Sequence, residues 1–585
     1  MYHHLLHLLH PLRVIWNERI VLFWPIWMTI TAIGIMLVVW IVPTRSHKPL
    51  EQIESRQRDW SRKDIIAAAF LCLFLACYVA GSLVWEDFTY YDNSHFTNET
   101  LIGQNILLQV SPEQGRFWPL GHQEFNLLRH ITHSNTGYHA LRIVQLLFVC
   151  AILLYLDEDL NVWARVGLVS LLLITPSIVI SFSGLIYPEA NVIFWLVCLA
   201  WSIKCFERTR SIAWAVAAVI SSQFLLYYKE TGFLFLFGFA VGRLILRSLK
   251  ADGAGWEFKP LRDPESRLDA CLAFMVAPYI LYYCAAMFPV FGMGYSEESR
   301  LPLLQVIFSY LELDVLVWIF VAVALARVFR ILQRRVAPSL LWDGLALGGI
   351  GYLAGYVILR MVSSYYLAPV DLIAVLYVGR LAFKSIEVWG PVFRFAGIAV
   401  LSIVLFQDSS LSGFRMYERK NVIHAKAEIG HLIEERYKND PQNVKRLFFP
   451  FAKPFDILEF ASYLSYIGVP VEEVSKGSVA TRGVLLAGKV IQKDGPCGYR
   501  TFVCHPGTTP LPGDLVVVFP DDVTSVGGSS VYRNASTMLL FSYDARPQIP
   551  EWARPFVNTL HVVSPEFSRI QLPDSWLRAS LSIWK

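Results

Sequence analysis

Between residues 86 and 92 the chain places Glu86, Asp87 and Asp92 among Trp85, Phe88, Tyr90 and Tyr91, directly after an apolar run. Acids are costly near hydrocarbon, and partial desolvation raises a carboxylate's pKa, which suits it to take a proton from a hydroxyl. The same residues also read as an interfacial aromatic belt with solvated acids. Next comes Gly115-Arg116-Phe117-Trp118-Pro119-Leu120-Gly121-His122-Gln123-Glu124-Phe125. Arg116 offers a guanidinium that matches phosphate oxygens in pairs, with His122 near it in the chain. An amphipathic segment lying on a bilayer is the plainer reading of that stretch. Tyr187-Pro188-Glu189 sets a carboxylate at a helix start, where it serves the helix dipole or, with Tyr187, a substrate. Tyr228-Lys229-Glu230-Thr231-Gly232 sets a Lys-Glu pair between two apolar runs, which a structural ion pair would also explain. Arg360 ends another apolar run, where it snorkels to the interface or holds a phosphate.

The elements that carry these residues are membrane helices. The chain has 585 residues, 55% hydrophobic and 17% charged, with mean hydropathy +0.45. Soluble domains carry about 25% charge, so residues that solvate a surface are scarce here. Spanning about 30 Å of hydrocarbon takes roughly 20 apolar residues. Candidate spans are 20–42, 64–85, 139–156, 166–183, 190–206, 212–228, 231–249, 269–288, 313–330, 338–360, 367–383 and 389–407. Lys and Arg crowd the alternate connections around 45–63, 204–210, 243–267 and 327–335, which makes that set cytoplasmic. The segments bearing the residues above then all lie on the opposite, outer side. The fold class expected is an α-helical polytopic membrane protein of about twelve spans, closed by an extracytoplasmic α/β domain. Its C-terminal part starts with an amphipathic helix at 421–438 and continues with strand-like runs at 446–451, 483–491, 500–505, 514–520 and 537–543. No cleavable signal peptide is evident, since 20–42 is too long for one and lacks a cleavage site.

An acidic pair just after a span, opening a long outer loop at 86–138, resembles the GT-C membrane glycosyltransferases. That family includes protein O-mannosyltransferases and lipid A aminoarabinose transferases, whose members take sugar from a polyprenyl-phosphate carrier. The resemblance implies a catalytic base in this loop, with Glu86-Asp87 as the matching pair, Asp87 as first choice and Asp92 as the alternative alignment. Glu86 stands where many relatives have Asp. Lys229-Glu230 is similar to the Lys-Glu pair that many relatives carry at an outer helix end, which implies that Lys229 counters the carrier phosphate. Arg116, His122, Tyr187, Glu189 and Arg360 complete the expected substrate-binding set. The resemblance covers roughly 64–407 as a catalytic membrane domain. It leaves aside 1–63, read as an amphipathic segment, an extra span and a basic loop, and the external domain 408–585.

The implied partners are a polyprenyl-phosphate-linked sugar, a lipid, glycan or protein acceptor, and membrane lipids. The implied location is a bacterial plasma (inner) membrane with the active site on its outer side. A divalent metal is compatible with the acids, but no ligand cluster compels a cofactor. A net charge of +4 sorted by loop gives no case for nucleic acid, and no phosphate-binding glycine loop with its lysine is present. Cys497 and Cys504 flank a turn-like Gly-Tyr-Arg and could join in a disulfide outside the cytoplasm. The histidines at 3, 4, 7 and 10 read as part of an interfacial amphipathic helix, and Asp521-Asp522 as turn acids. Two other functions compete: a transporter or flippase of a lipid-linked anion, and an O-antigen polymerase or ligase. The first predicts ionisable residues at mid-helix depth, such as Asp343 and Asp371, in duplicated halves; no duplication is evident. The second would rely on basic residues in a large outer loop.

Overall fold

A computed structural model describes residues 23–42, 62–82, 97–98, 100–111, 116–249, 263–287, 301–385, 391–439, 447–449, 454–469, 502–503, 512–519, 537–544, 551, 555 and 578–584. The chain is a polytopic helical membrane protein with a small C-terminal α/β unit. The membrane part contains α1 (Phe23–Ile41), α2 (Arg62–Ser82), α4 (Asn135–Leu156), α5 (Val162–Leu173), α6 (Pro176–Ser183), α7 (Glu189–Thr209) and α8 (Ile212–Tyr228). It continues with α9 (Gly232–Ser248), α10 (Pro264–Met287), α11 (Leu303–Leu313), α12 (Val315–Leu332), α13 (Leu340–Leu359), α14 (Ala368–Ser385) and the first part of α15 (Pro391–Asn439). A short helix α3 (Gln123–Leu128) and a ribbon of β1 (Val110–Ser111) and β2 (Arg116–Phe117) lie between α2 and α4.

Each apolar run expected to span coincides with helix, but the spans are not uniform. Among the described residues, eight helices are long and apolar enough to cross a membrane, or nine if the bent pair α5–α6 counts as one. The run at 166–183 is broken by 66° because Thr175 ends one hydrogen-bonded stretch and Pro176, with φ preset and no N–H to satisfy, starts the next. The run at 313–330 begins at α12, whose N-cap Asp314 accepts from the Leu316 N–H at 2.7 Å; α11 precedes it as a separate short helix. Ser134 and Asn161 cap α4 and α5 in the same way.

Burial orders the bundle. In α7, α13 and α14 about two thirds or more of the spanning window is buried, 67%, 67% and 72%, against 11% in α1 and α2. The first three therefore form the centre, and α1 and α2 lie at the edge, where Trp40 and Leu73 turn outward. α1 rests on α8 and α10, and the Arg267 guanidinium donates to the carbonyl of Ile41 at 2.9 Å. α9 and α13 pack backbone to backbone. A Cβ on Gly348 would stand 2.9 Å from the Phe235 carbonyl oxygen, one on Gly351 2.8 Å from that of Leu234, and one on Gly238 2.9 Å from that of Leu347. Small residues at this spacing let two helices approach where lipid supplies no hydrophobic drive.

The basic cluster expected in the 243–267 connection is partly inside the bundle. Arg243 belongs to α9, is 1% exposed, and donates to Asp269 and Glu207, each at 2.7 Å. Arg247 reaches Glu265 at 2.7 Å, Asp269 at 3.0 Å and Glu207 at 3.1 Å. These arginines tie α7, α9 and α10 together, because a guanidinium has enough donors to serve several carboxylates at once. Asp343, a candidate mid-helix charge, is likewise held by Arg327 and by the Tyr377 hydroxyl, both at 2.7 Å.

α15 runs unbroken for 49 residues from the bundle into the C-terminal unit and contains the expected helix 421–438. There it packs with α16 (Pro454–Tyr466) against a sheet of order β4-β3-β5-β7-β6. The strands are β3 (Leu447–Phe448), β4 (Phe502–Val503), β5 (Leu515–Val518), β6 (Thr537–Asp544) and β7 (Arg578–Trp584). β3 is parallel to β4 and β5, and β7 is antiparallel to β5 and β6. Ile423, Ile429 and Ile433 of α15 join Leu515 and Val517 in a core separate from that of the membrane bundle. The strand expected at 483–491 and the pair Cys497 and Cys504 lie outside the described residues.

Candidate functional site

The densest cluster of candidate functional side chains lies at one end of the bundle, where α8 stops, α7 starts and the segment 116–134 folds over both. β1 and β2 pair Val110 with Phe117 and Ser111 with Arg116. Phe117 is fully buried against Tyr227, Tyr279, Tyr282 and Tyr283, with ring centroids 5.1–6.3 Å away. That aromatic plug fixes the strand to α8 and α10. The Leu120 N–H then donates to the Tyr227 carbonyl at 3.1 Å, stitching the loop to the last turn of α8. Gly121 makes the turn possible, since a Cβ there would lie 2.1 Å from the Trp118 ring. His122 follows in the left-handed region, with φ 62°.

Lys229 leaves the end of α8 in extended backbone and is 2% exposed. Its Nζ lies 3.1 Å from Glu189 Oε1, close enough for an ion pair but off the line of a hydrogen bond. The ammonium also sits 5.4 Å from the Trp118 ring centroid and 5.0 Å from that of Tyr366, within cation–π range of both. Arg116 stands 5.8 Å from the same indole, so Trp118 carries both cations. An ammonium has three donors, and the described residues engage them with one off-line carboxylate and two aromatic faces. Glu230 is buried beside it, with Oε2 lacking a hydrogen-bond partner among the described residues.

Aromatics wall the site. Tyr365 and Tyr366 come from a 3-10 turn, Ser364–Leu367, between α13 and α14. Tyr366 stacks on Tyr356 at 4.3 Å, and the Thr231 hydroxyl meets the Tyr356 hydroxyl at 3.2 Å. Tyr187 faces Tyr365 at 4.5 Å and lies under Arg419 of α15 at 5.9 Å, while Arg419 donates to the Ser183 hydroxyl at 2.6 Å. His122 is 2% exposed between Trp118 and Phe125. Burial pushes its pKa down to about 3, and the nearby Arg142, Lys229 and Arg116 push it the same way. It is therefore a neutral imidazole at any physiological pH.

Arg116, His122, Tyr187, Glu189, Lys229 and Glu230 thus converge on one end of the bundle. Arg360 stands apart from them: it is exposed, caps α13 in the left-handed region at φ 56°, and joins no ion pair among the described residues. Glu86, Asp87 and Asp92 lie outside the described residues. The structure adds Trp118, Tyr365, Tyr366, Arg142, Asn191 and Arg419. Trp118 and the two tyrosines were visible as aromatics beside charged residues. Arg142, Asn191 and Arg419 sit within helices with no local motif to mark them. Among the described residues, no group of three or more His, Cys, Asp or Glu is arranged to hold a metal ion.

No protein-family model matches the chain, and no curated protein matches it. Among solved structures, it is similar to ArnT from Cupriavidus metallidurans bound to undecaprenyl phosphate. The identity is 11%, the match covers 88% of this chain and 98% of that one, and the TM-score is 0.41. The apo state of the same protein matches with the same identity and coverage at a TM-score of 0.42.

Proposed function

We propose that the chain is an inverting glycosyltransferase that moves a sugar from a polyprenyl-phosphate carrier to an acceptor hydroxyl on the outer face of a bacterial plasma membrane. The observation that carries this reading is the desolvated Lys229 ammonium at a bundle end, with Arg116 on the same indole. Such a site suits an anion presented at the membrane surface by a lipid, since the carrier chain can lie between helices while its phosphate stops at their ends. Charge supports the side. The opposite bundle end carries Lys204, Arg208, Arg247 and Arg334, as a cytoplasmic end should.

In the reaction, Asp87 takes the proton from the acceptor hydroxyl as its oxygen attacks the anomeric carbon. The bond from that carbon to the phosphate oxygen breaks, and polyprenyl phosphate leaves as an anion. Lys229 and Arg116 share the charge that develops on the departing phosphate, which is electrostatic stabilisation by groups already at that bundle end. The neutral His122 adds no cation that would compete for the phosphate.

The test is to incubate purified, reconstituted protein with a panel of polyprenyl-phosphate sugars and to measure free polyprenyl phosphate. Carrier-dependent release that Asp87→Ala abolishes while expression stays normal is the expected result. Absence of release across the panel, or wild-type rates in Asp87→Ala, would reject the reading or the base.

A further inference from the structure

Arg142 lies on α4 and is 5% exposed, yet it reaches both the loop after β2 and the start of α7, two of the segments that frame the site. Its Nη1 donates to Asn191 Oδ1 at 2.7 Å and to Gln145 Oε1 at 2.9 Å. Its Nη2 donates to Glu124 Oε1 and to the Leu185 carbonyl, both at 3.0 Å. The ring of contacts closes on itself, because Asn191 Nδ2 donates to Glu124 Oε1 at 2.5 Å and Gln145 Nε2 donates to Asn191 Oδ1 at 3.0 Å. Glu124 is two residues beyond His122, Leu185 is four before Glu189, and Asn191 is two after it. One guanidinium therefore joins the loop that carries Trp118 to the turn and helix start that carry Tyr187 and Glu189.

With both terminal nitrogens engaged, Arg142 has no Nη donor left for a substrate anion. Its planar fork sets distances among four partners, which a lysine ammonium on a flexible stem does not reproduce. We infer that Arg142 is a positioning residue that sets the spacing between the Trp118–His122 loop and the Glu189–Lys229 pair. This rests on the proposed transferase reading for its catalytic consequence, and on geometry alone for its structural one.

Two readouts separate the two. The first is steady-state transfer by Arg142→Lys, which keeps the charge, and by the neutral pair Arg142→Gln with Glu124→Gln, which removes the buried imbalance and so favours folding. A displacement near 1 Å costs on the order of 100-fold in rate, so kcat falls by about that factor while KM for the carrier stays within about twofold. The second needs no turnover. Spin labels at Leu127→Cys and Ile358→Cys, with the nine native cysteines replaced by Ser, should give a narrow distance distribution in the parent protein and a broad one with Arg142→Lys. Unchanged kcat in both variants, a rise in KM alone, or a distribution that stays narrow would overturn the inference. An inactive parent protein whose distribution still broadens with Arg142→Lys would sink the transferase reading and leave the positioning role standing.

Discussion

A buried lysine held by one carboxylate and two aromatic faces keeps a concentrated positive charge at the end of a helix bundle. Lys229 at 2% exposure is in that state, held to Glu189 and flanked by Trp118 and Tyr366. Removing one such preorganised donor costs roughly 100- to 1,000-fold in turnover. Lys229→Ala should therefore reduce carrier-dependent release by about that factor, with Lys229→Arg recovering part of it; wild-type release in Lys229→Ala would exclude the role. His122 yields a stability prediction instead. Its pKa falls from 6.5 to about 3 on burial, so between those values the unfolded chain binds a proton that the folded one does not. Its contribution is complete above the unfolded value and is lost as pH falls through that window, by up to about 1.4 kcal/mol per pH unit. His122→Gln should flatten the decline of thermal stability from pH 6.5 to pH 4.5, read by melts in detergent. An unchanged slope would show that the imidazole is charged in the folded state. At this scale the sequence exposed the Lys-Glu pair as a local motif. It could not expose Arg142 with Asn191 and Glu124, because those partners are 49 and 18 residues away.

Pairs of helices decide where those residues stand. The glycines of α13 let it lie against α9, and that approach brings Thr231 to Tyr356 just beyond Lys229. A side chain at Gly351 would collide with backbone, which cannot move aside as a side-chain tip can. Overpacking of this kind costs about 1–3 kcal/mol, so Gly351→Leu should lower the melting temperature and slow transfer together. At the opposite end Arg243 binds α7, α9 and α10 through two carboxylates. Breaking a buried pair by removing one partner costs roughly 3–5 kcal/mol, since a charge is left without compensation. Arg243→Ala should destabilise the protein by that much while kcat of the surviving folded fraction stays normal; a selective fall in kcat would mean that this network reaches the site. The apolar periods located these helices well. They placed Arg243 within the 231–249 run but did not name its partners, because Glu207 and Asp269 belong to other helices.

Over the whole molecule, the site end and the basic end are separated by the thickness of the bundle, and the transferase reading requires them to face different compartments. Arg360 at one end and Arg334 at the other are both exposed, so each tolerates a label. With the native cysteines replaced by Ser, an impermeant maleimide added to sealed inverted vesicles should modify Arg334→Cys and spare Arg360→Cys, with the reverse in right-side-out cells. The same side for both would remove the topology on which the proposal stands. α15 connects the site to the C-terminal unit without a break, since Arg419 touches Ser183 and Tyr187 and the residues from Ile423 onward enter the second core. The external expectation for that unit follows from the same labels.

Composition and period by themselves determined that this chain is a many-helix membrane protein with an α/β C-terminal part, because hydropathy and charge are properties of each segment alone. They also brought forward most of the charged and aromatic residues now found at one bundle end, because loops between apolar runs are short and their polar residues few. Tertiary structure decided the rest: the seating of Lys229 on Trp118 and Tyr366, the separation of Arg360, and the hold of Arg142. Each depends on which helix packs against which, and a helix's own residues do not name its neighbour.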